Sequence, residues 1–144
     1  MSKKAAFWDT SAIVPLCTQQ PRSAGALHQF SCYDLVVWCA TPVEIISALA
    51  RLLRLSQISA AEFAGAKQQA EKLSGDWKAM SFTPQLLKSA CLLLELHPLR
   101  AADALQLAAA LEACEHQPRG YTFITADQRL AEAARQTGFS VELL

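Results

Sequence analysis

Four acidic residues could together form a divalent metal site: Asp9, Glu44, Asp103 and Asp127. Each follows a predicted strand or lies near the start of a predicted helix. Oxygen ligands without Cys or His favour Mg²⁺ or Mn²⁺ over Zn²⁺. Because Mg²⁺ usually keeps several waters and takes only one or two carboxylates directly, some of the four would act through water. Cations held in this way can bind a phosphodiester and support its hydrolysis by water.

The elements that must position these acids alternate between strands and helices. Five short apolar runs predict strands, at residues 5–8, 34–38, 77–82, 121–125 and 140–143. Longer helical patterns separate them, which predicts an α/β fold with a mostly parallel sheet buried on both faces. In such a sheet the helices begin at the edge where the strands end, so all four acids are expected there. If the strand order reverses beside the first strand, Asp9 and Asp127 flank the ligand-binding crevice.

Several helix ends are visible in the sequence. Thr41 is the predicted N-cap of one helix, and residues 59–62 begin the next, which could end with a left-handed Gly75. Further helices are predicted from residue 83 to before residue 97 and from 101 to about 115. The last runs from about residue 126 to 137, with Gly138 as its stop.

Each acid also has a structural explanation. Glu44 could complete a capping box with Thr41, Asp127 suits the first turn of a helix, and Asp9 could cap the helix beginning near Ser11. Asp103 lies in an apolar stretch without a cap partner. Four carboxylates at one edge raise one another's pKa, and burial adds to the cost of ionisation. A bound cation removes that conflict, and the coincidence of all four acids favours this interpretation.

Other polar residues could assist the acids. Ser11 and Thr125 lie beside Asp9 and Asp127 and could orient a carboxylate or a water, although Thr125 with Gln128 also resembles a capping pair. Three arginines, Arg51, Arg100 and Arg129, could reach a phosphate group. Exposed arginines that bind only solvent are the alternative.

Length and charge limit the function further. The chain has 144 residues, of which 52% are hydrophobic, so one domain spanning residues 1–144 is expected. Thirteen basic and thirteen acidic residues give no net charge, so any contact with RNA or DNA must be local. The longest apolar run, residues 35–40, is too short for a membrane span or a signal peptide. Five cysteines without a CxxC pair are expected to be reduced and mostly packed in the core, which predicts a cytoplasmic location.

Four segments resemble the motifs of PIN domains of the VapC toxin type, in their order and approximate spacing. They are residues 7–12 (FWDTSA), 42–51 (PVEIISALAR), 99–108 (LRAADALQLA) and 123–130 (FITADQRL). The resemblance spans almost the whole chain. One departure is Pro15, which is expected to bend or shorten the first helix.

The resemblance implies a three-layer α/β sandwich with a five-stranded parallel sheet of order 3-2-1-4-5. It also implies an Mg²⁺- or Mn²⁺-dependent endoribonuclease with Asp9, Glu44, Asp103 and Asp127 as its acidic site. The partners implied are an RNA substrate, an antitoxin whose tail covers the site, and a second copy in a homodimer. Attack by water, rather than by the ribose 2′-hydroxyl, would leave 5′-phosphate and 3′-hydroxyl ends.

Two other functions remain open. A phosphatase could use Asp9 as a covalent nucleophile, but the haloacid-dehalogenase-like pattern requires a second Asp two residues later, where this chain has Ser11. A binding module could keep the fold and the protein partner without cleaving RNA. The zero net charge favours that alternative, whereas the four intact acids favour an enzyme.

Overall fold

The structure is a computed structural model that describes residues 3–144. In chain order these residues form β1 (Lys4–Trp8), α1 (Thr10–Cys17), α2 (Ser23–Cys32), β2 (Tyr33–Trp38), α3 (Thr41–Arg54), α4 (Ala60–Ser74), β3 (Lys78–Met80), α5 (Pro84–Leu96), α6 (Ala101–Ala113), β4 (Thr122–Thr125), α7 (Gln128–Thr137) and β5 (Ser140–Leu143). The predicted strands agree with these bounds to within a residue, except that β3 is shorter than the predicted range 77–82.

All five strands are parallel and form one sheet in the order β3-β2-β1-β4-β5. The predicted α/β topology is therefore confirmed. The order reverses beside β1, which lies at the centre of the sheet between β2 and β4. Because Trp8 pairs with Ile124, the carboxyl ends of β1 and β4 are neighbours. The crevice expected at such a reversal lies at these two strand ends.

Helices cover both faces of the sheet, which gives three layers. Phe7 packs into a core with α5, α6 and α7, whereas its neighbours Ala6 and Trp8 pack into the opposite core with α1, α3 and α4. This alternation follows from the two-residue period of a strand. Phe7 also stacks on Phe123 of β4, with 5.5 Å between the ring centroids. Both cores hold the central strands, and so the carboxyl edge of the sheet, in place.

The ends of three helices differ from the predictions. Ala40, not Thr41, is the N-cap of α3, and the predicted capping box with Glu44 is absent because Thr41 Oγ1 is buried without a hydrogen-bond partner. Gly75 is right-handed, with φ of −67°. Helix α7 begins at Gln128, two residues later than predicted.

Two other predicted ends are confirmed. Ser59 caps α4 in a complete capping box with Glu62, whose side chain in turn accepts from the Ser59 amide at 3.0 Å. Gly138 ends α7 with φ of +115°, a conformation that glycine adopts far more readily than other residues.

The thiols are less buried than predicted. Cys32, Cys39 and Cys91 are exposed, and Cys17 and Cys114 are half-buried. Cys39 is exposed because β2 ends at Trp38, the last buried residue of the strand, and Cys39 lies beyond it, outside the sheet. Within residues 3–144, none of the helices combines the length and apolar character that crossing a membrane requires.

Candidate functional site

The four acids lie where β1 ends and where three helices begin. Asp9 directly follows β1, Glu44 and Asp103 are in the first turns of α3 and α6, and Asp127 is the N-cap of α7. In the part of the chain that the structure describes, ion pairs to basic side chains are made by Glu112 and Glu132 and not by any of these four. The four carboxylates therefore lack a protein cation within ion-pairing distance.

Asp9 is a buried acid with only 6% of its surface exposed. Its Oδ2 accepts hydrogen bonds from the Ser11 hydroxyl and, at 2.9 Å, from Thr125 Oγ1. Burial is the main reason that the pKa of Asp9 rises from 3.8 to about 6; the two hydroxyl bonds oppose the rise, and the charges of Asp103 and Glu44 add to it. Asp9 does not cap α1 with its side chain, so its alternative structural role is not realised.

Ser11 and Thr125 tie the ends of β1 and β4 together. Their hydroxyl oxygens lie 3.2 Å apart, and Ser11 Oγ also accepts from the Ala126 amide at 2.9 Å. Thr125 Oγ1 accepts from the Asp127 amide at 3.0 Å, and Asp127 Oδ1 caps α7 by accepting from Leu130 N at 3.1 Å. The cap of α7 is thus Asp127, and the alternative capping pair of Thr125 with Gln128 is not formed.

Glu44 is held by two residues that the sequence analysis missed. Its Oε1 accepts from Thr10 Oγ1 at 2.6 Å and from Gln106 Nε2 at 2.5 Å, and Gln106 Nε2 also donates to Thr10 Oγ1 at 3.0 Å. Gln106 is only 1% exposed. A signal for it exists in the sequence, because it is the one strongly polar residue on the buried face of the alanine-rich α6, three positions after Asp103.

Asp103 links the acids electrostatically. Burial is the largest cause of the raised pKa of Asp103, and the charge of Asp127 is the second. The backbone amide and the guanidinium of Arg100 lower this pKa, and the charge of Glu44 makes a smaller contribution that raises it. Since Asp9 is affected by both Asp103 and Glu44, the four carboxylates form one coupled group. Their mutual repulsion is the kind that a cation would relieve.

An open groove of about 760 Å³ lies beside two of these acids, Asp103 and Asp127. Asp103, Asp127, Arg100 and Arg129 contribute to its walls. Arg100 and Arg129 are thus close to the candidate site. Arg51 does not line this groove: it lies in the last turn of α3, about 10 Å along the helix from Glu44.

The donor set offers only oxygen atoms. In each of three carboxylates, those of Asp9, Glu44 and Asp127, one oxygen accepts hydrogen bonds from the protein. No described hydrogen bond reaches the second oxygen of any of the three. Within residues 3–144, no three Asp, Glu, His or Cys side chains come close enough to hold one metal ion directly. The arrangement suits a cation that takes one or two carboxylates and keeps its waters, as Mg²⁺ does.

Comparisons with known proteins agree with this fold. Residues 6–136, which include all four acids, match the model of the PIN domain family. The crystal structure of FitAcB from Neisseria gonorrhoeae is similar in fold, with a TM-score of 0.59 and 18% sequence identity over 94% of this chain and 95% of that chain. No curated protein matches the sequence. The family match covers well over half of the chain, and the protein therefore belongs to the PIN domain family.

Proposed function

We propose that this protein is an Mg²⁺- or Mn²⁺-dependent endoribonuclease and the toxin of a toxin–antitoxin pair. PIN domains are typically nucleases, so hydrolysis of a nucleic acid is the expected reaction class. The observation that carries the proposal is the coupled group of four carboxylates, none of which forms a salt bridge in the described residues. In particular, the buried Asp9 carries a pKa raised to about 6, which indicates a negative charge that the protein alone does not compensate.

The residues of the chain would divide the work. The cation would be held, directly or through water, by the carboxylates of Asp9, Glu44, Asp103 and Asp127. Ser11 and Thr125 fix the orientation of Asp9 by donating hydrogen bonds to it. The cation, when bound, lowers the pKa of water and stabilises charge that develops on the phosphate. Each carboxylate needs one unbonded oxygen for this task, and the hydrogen bonds described above leave one free on Asp9, Glu44 and Asp127.

The groove supports a polyanionic substrate. Arg100 and Arg129 line it beside Asp103 and Asp127, so a phosphodiester could contact a guanidinium on one side and the acidic site on the other. The zero net charge means that this attraction is local and not a property of the whole surface. We propose attack by water, which gives 5′-phosphate and 3′-hydroxyl products.

Cleavage of a panel of structured RNAs tests the proposal. The wild-type protein should cleave with Mg²⁺ or Mn²⁺, lose activity in EDTA, and leave 5′-phosphate ends. Asp103→Asn should abolish cleavage, whereas Asp76→Asn, the same change at an exposed turn, should not. Full activity in EDTA would refute metal dependence, and a trapped aspartyl-phosphate on Asp9 would favour the phosphatase alternative. RNA binding without cleavage at any metal concentration would favour the binding module.

The toxin role has its own readout. Expression of the wild-type protein should arrest growth, and Asp103→Asn should relieve the arrest without lowering the amount of protein. A small protein encoded beside this one should restore growth when co-expressed and should bind this chain. Growth arrest that persists in Asp103→Asn would contradict a toxin that acts through RNA cleavage.

We also propose that the chain forms a homodimer through α5. This helix exposes Leu87, Leu92 and Leu96, by 44%, 59% and 73% respectively, and its exposed surface also carries Lys88 and Glu95. Lys88 and Glu95 are equally distant from a point between Cys91 and Leu92, and so are Leu87 and Leu96. Antiparallel packing of two α5 helices about a two-fold axis would therefore pair each Lys88 with the partner's Glu95 and bury both sets of leucines.

A further inference from the structure

We infer that Gln106 is a positioning residue, which holds Glu44 so that its second carboxylate oxygen is available to the cation. This inference rests on the proposed function and assigns a role to a residue outside the acidic set. Gln106 lies on α6, one helical turn after Asp103, and its side chain is almost fully buried. It reaches across to α3, where its Nε2 donates to Glu44 Oε1 at 2.5 Å.

The hydrogen bonds determine which way the amide faces. Glu44 Oε1 is an acceptor only, so the group 2.5 Å from it must be the NH₂ of Gln106 and not its carbonyl oxygen. The same nitrogen donates to Thr10 Oγ1, and the Thr10 hydroxyl in turn donates to Glu44 Oε1. The three side chains therefore form a closed triangle in which each available proton has an acceptor.

The cost of this arrangement falls on Gln106 itself. Its carbonyl oxygen, Oε1, is buried without a hydrogen-bond partner. A buried acceptor left unpaired costs about 1–3 kcal/mol, so a glutamine here is a poor choice for stability alone. The positions around it on α6 are filled by apolar residues, among them Ala104 and Leu107. The amide is therefore best explained by the acid that it contacts.

Both donors use the same oxygen of Glu44. Because Thr10 and Gln106 take Oε1, no described hydrogen bond reaches Oε2, and the carboxylate is restrained at one end while the other remains open. Helix α6 thus carries one acid, Asp103, and the group that orients another, Glu44. A shift of α6 that moved Asp103 would also move the Gln106 amide that is bonded to Glu44. The positions of Asp103 and Glu44 relative to each other are therefore coupled.

Titration of Mn²⁺ by calorimetry, with thermal melting in EDTA, tests this role. Gln106→Met removes the amide at similar length and should weaken Mn²⁺ binding about tenfold or more, the usual effect of losing a group that orients a ligand. The melting temperature should stay the same or rise, because the unpaired Oε1 is lost. Gln106→Leu should behave alike, so the result does not depend on one variant folding well.

Leu107→Ala is the matched control, since Leu107 is buried next to Gln106 and belongs to the apolar core formed with α5 and α7. It should lower the melting temperature and leave the Kd for Mn²⁺ unchanged. Equal Mn²⁺ affinity in wild type and both Gln106 variants would overturn the inference while leaving the proposed function intact. Absence of Mn²⁺ binding by the wild-type protein would instead overturn the proposed function.

Discussion

Thr125 Oγ1 donates a hydrogen bond to Asp9 Oδ2 at 2.9 Å, and this bond joins the carboxyl ends of β4 and β1. The two residues are 116 positions apart in the chain, but they meet because β1 and β4 are neighbours in the sheet. The bond lies where the strand order reverses. Thr125 thereby orients the acid on which the proposed metal site is centred, and it also accepts from the amide of Asp127.

Replacement of Thr125 by Val should weaken the site without removing an acid. The variant loses a hydrogen bond that lowers the pKa of Asp9, so this pKa should rise further and less of Asp9 should be ionised at neutral pH. We expect Mn²⁺ affinity and RNA cleavage to fall about 10–100-fold. Thr122→Val, the same change in the same strand away from the acids, should have little effect on either. Equal losses in the two variants would indicate a general effect on β4.

Replacement of Asp9 by Asn should abolish cleavage and stabilise the metal-free protein. A pKa raised from 3.8 to about 6 corresponds to about 3 kcal/mol of unfavourable free energy for the ionised, buried form at neutral pH. Because Asn makes weaker hydrogen bonds to Ser11 and Thr125, we expect a net gain of about 1–3 kcal/mol in the free energy of unfolding. Urea denaturation in EDTA at pH 7 measures it. A less stable variant would contradict the electrostatic account of Asp9.

The same pKa shift predicts how stability depends on pH. Between pH 3.8 and about 6 the folded state keeps a proton on Asp9 that the unfolded state has lost. The contribution of Asp9 to stability is therefore full below this window, declines as the pH rises through it, and is constant above it. The raised pKa of Asp103 acts in the same direction.

Denaturation curves of wild type and Asp9→Asn across pH 4 to 7 isolate this effect. In EDTA, the free energy of unfolding of the wild-type protein should fall relative to that of the variant as the pH rises. At pH 7, saturating Mg²⁺ should restore the stability of the wild-type protein. A difference between the two proteins that does not change with pH would show that Asp9 titrates normally.

The proposed α5 interface predicts the behaviour of three variants in light scattering. The wild-type protein should have twice the 15.7 kDa mass of the chain, and Leu92→Glu should be monomeric because it buries an unpaired charge. Lys88→Glu should weaken the dimer about tenfold by placing like charges together, and the double variant Lys88→Glu/Glu95→Lys should restore it. A monomeric wild type, or a dimer that Leu92→Glu leaves intact, would exclude this interface.

The strands and the start of most helices could be predicted because they depend on local features. Apolar runs predicted all five strands, and the capping box of Ser59 and the left-handed Gly138 were both visible. Continuous apolarity also indicated the parallel arrangement, since such strands are buried on both faces. The order of the strands came from the family resemblance, because no local pattern specifies which strands are neighbours.

The partners of the acids could not be predicted from local patterns. The structural alternative for Glu44 paired it with Thr41, three residues before it, but its partners are Thr10 and Gln106, which lie 34 and 62 residues away. The long-range contacts form instead because the half-buried carboxylate of Glu44 favours strong hydrogen-bond donors, and the tertiary fold places two of them beside it. Gln106 was overlooked because a single glutamine in an alanine-rich helix carries no spacing signal of its own.

The most direct test of the central claim is the anomalous scattering of Mn²⁺ in crystals of the protein. We predict one or two peaks bounded by the carboxylates of Asp9, Glu44, Asp103 and Asp127, and their loss in Asp103→Asn crystals. A protein that cleaves RNA with Mn²⁺ but shows peaks only elsewhere, or peaks that remain in the variant, would contradict the claim that these four acids form the metal site.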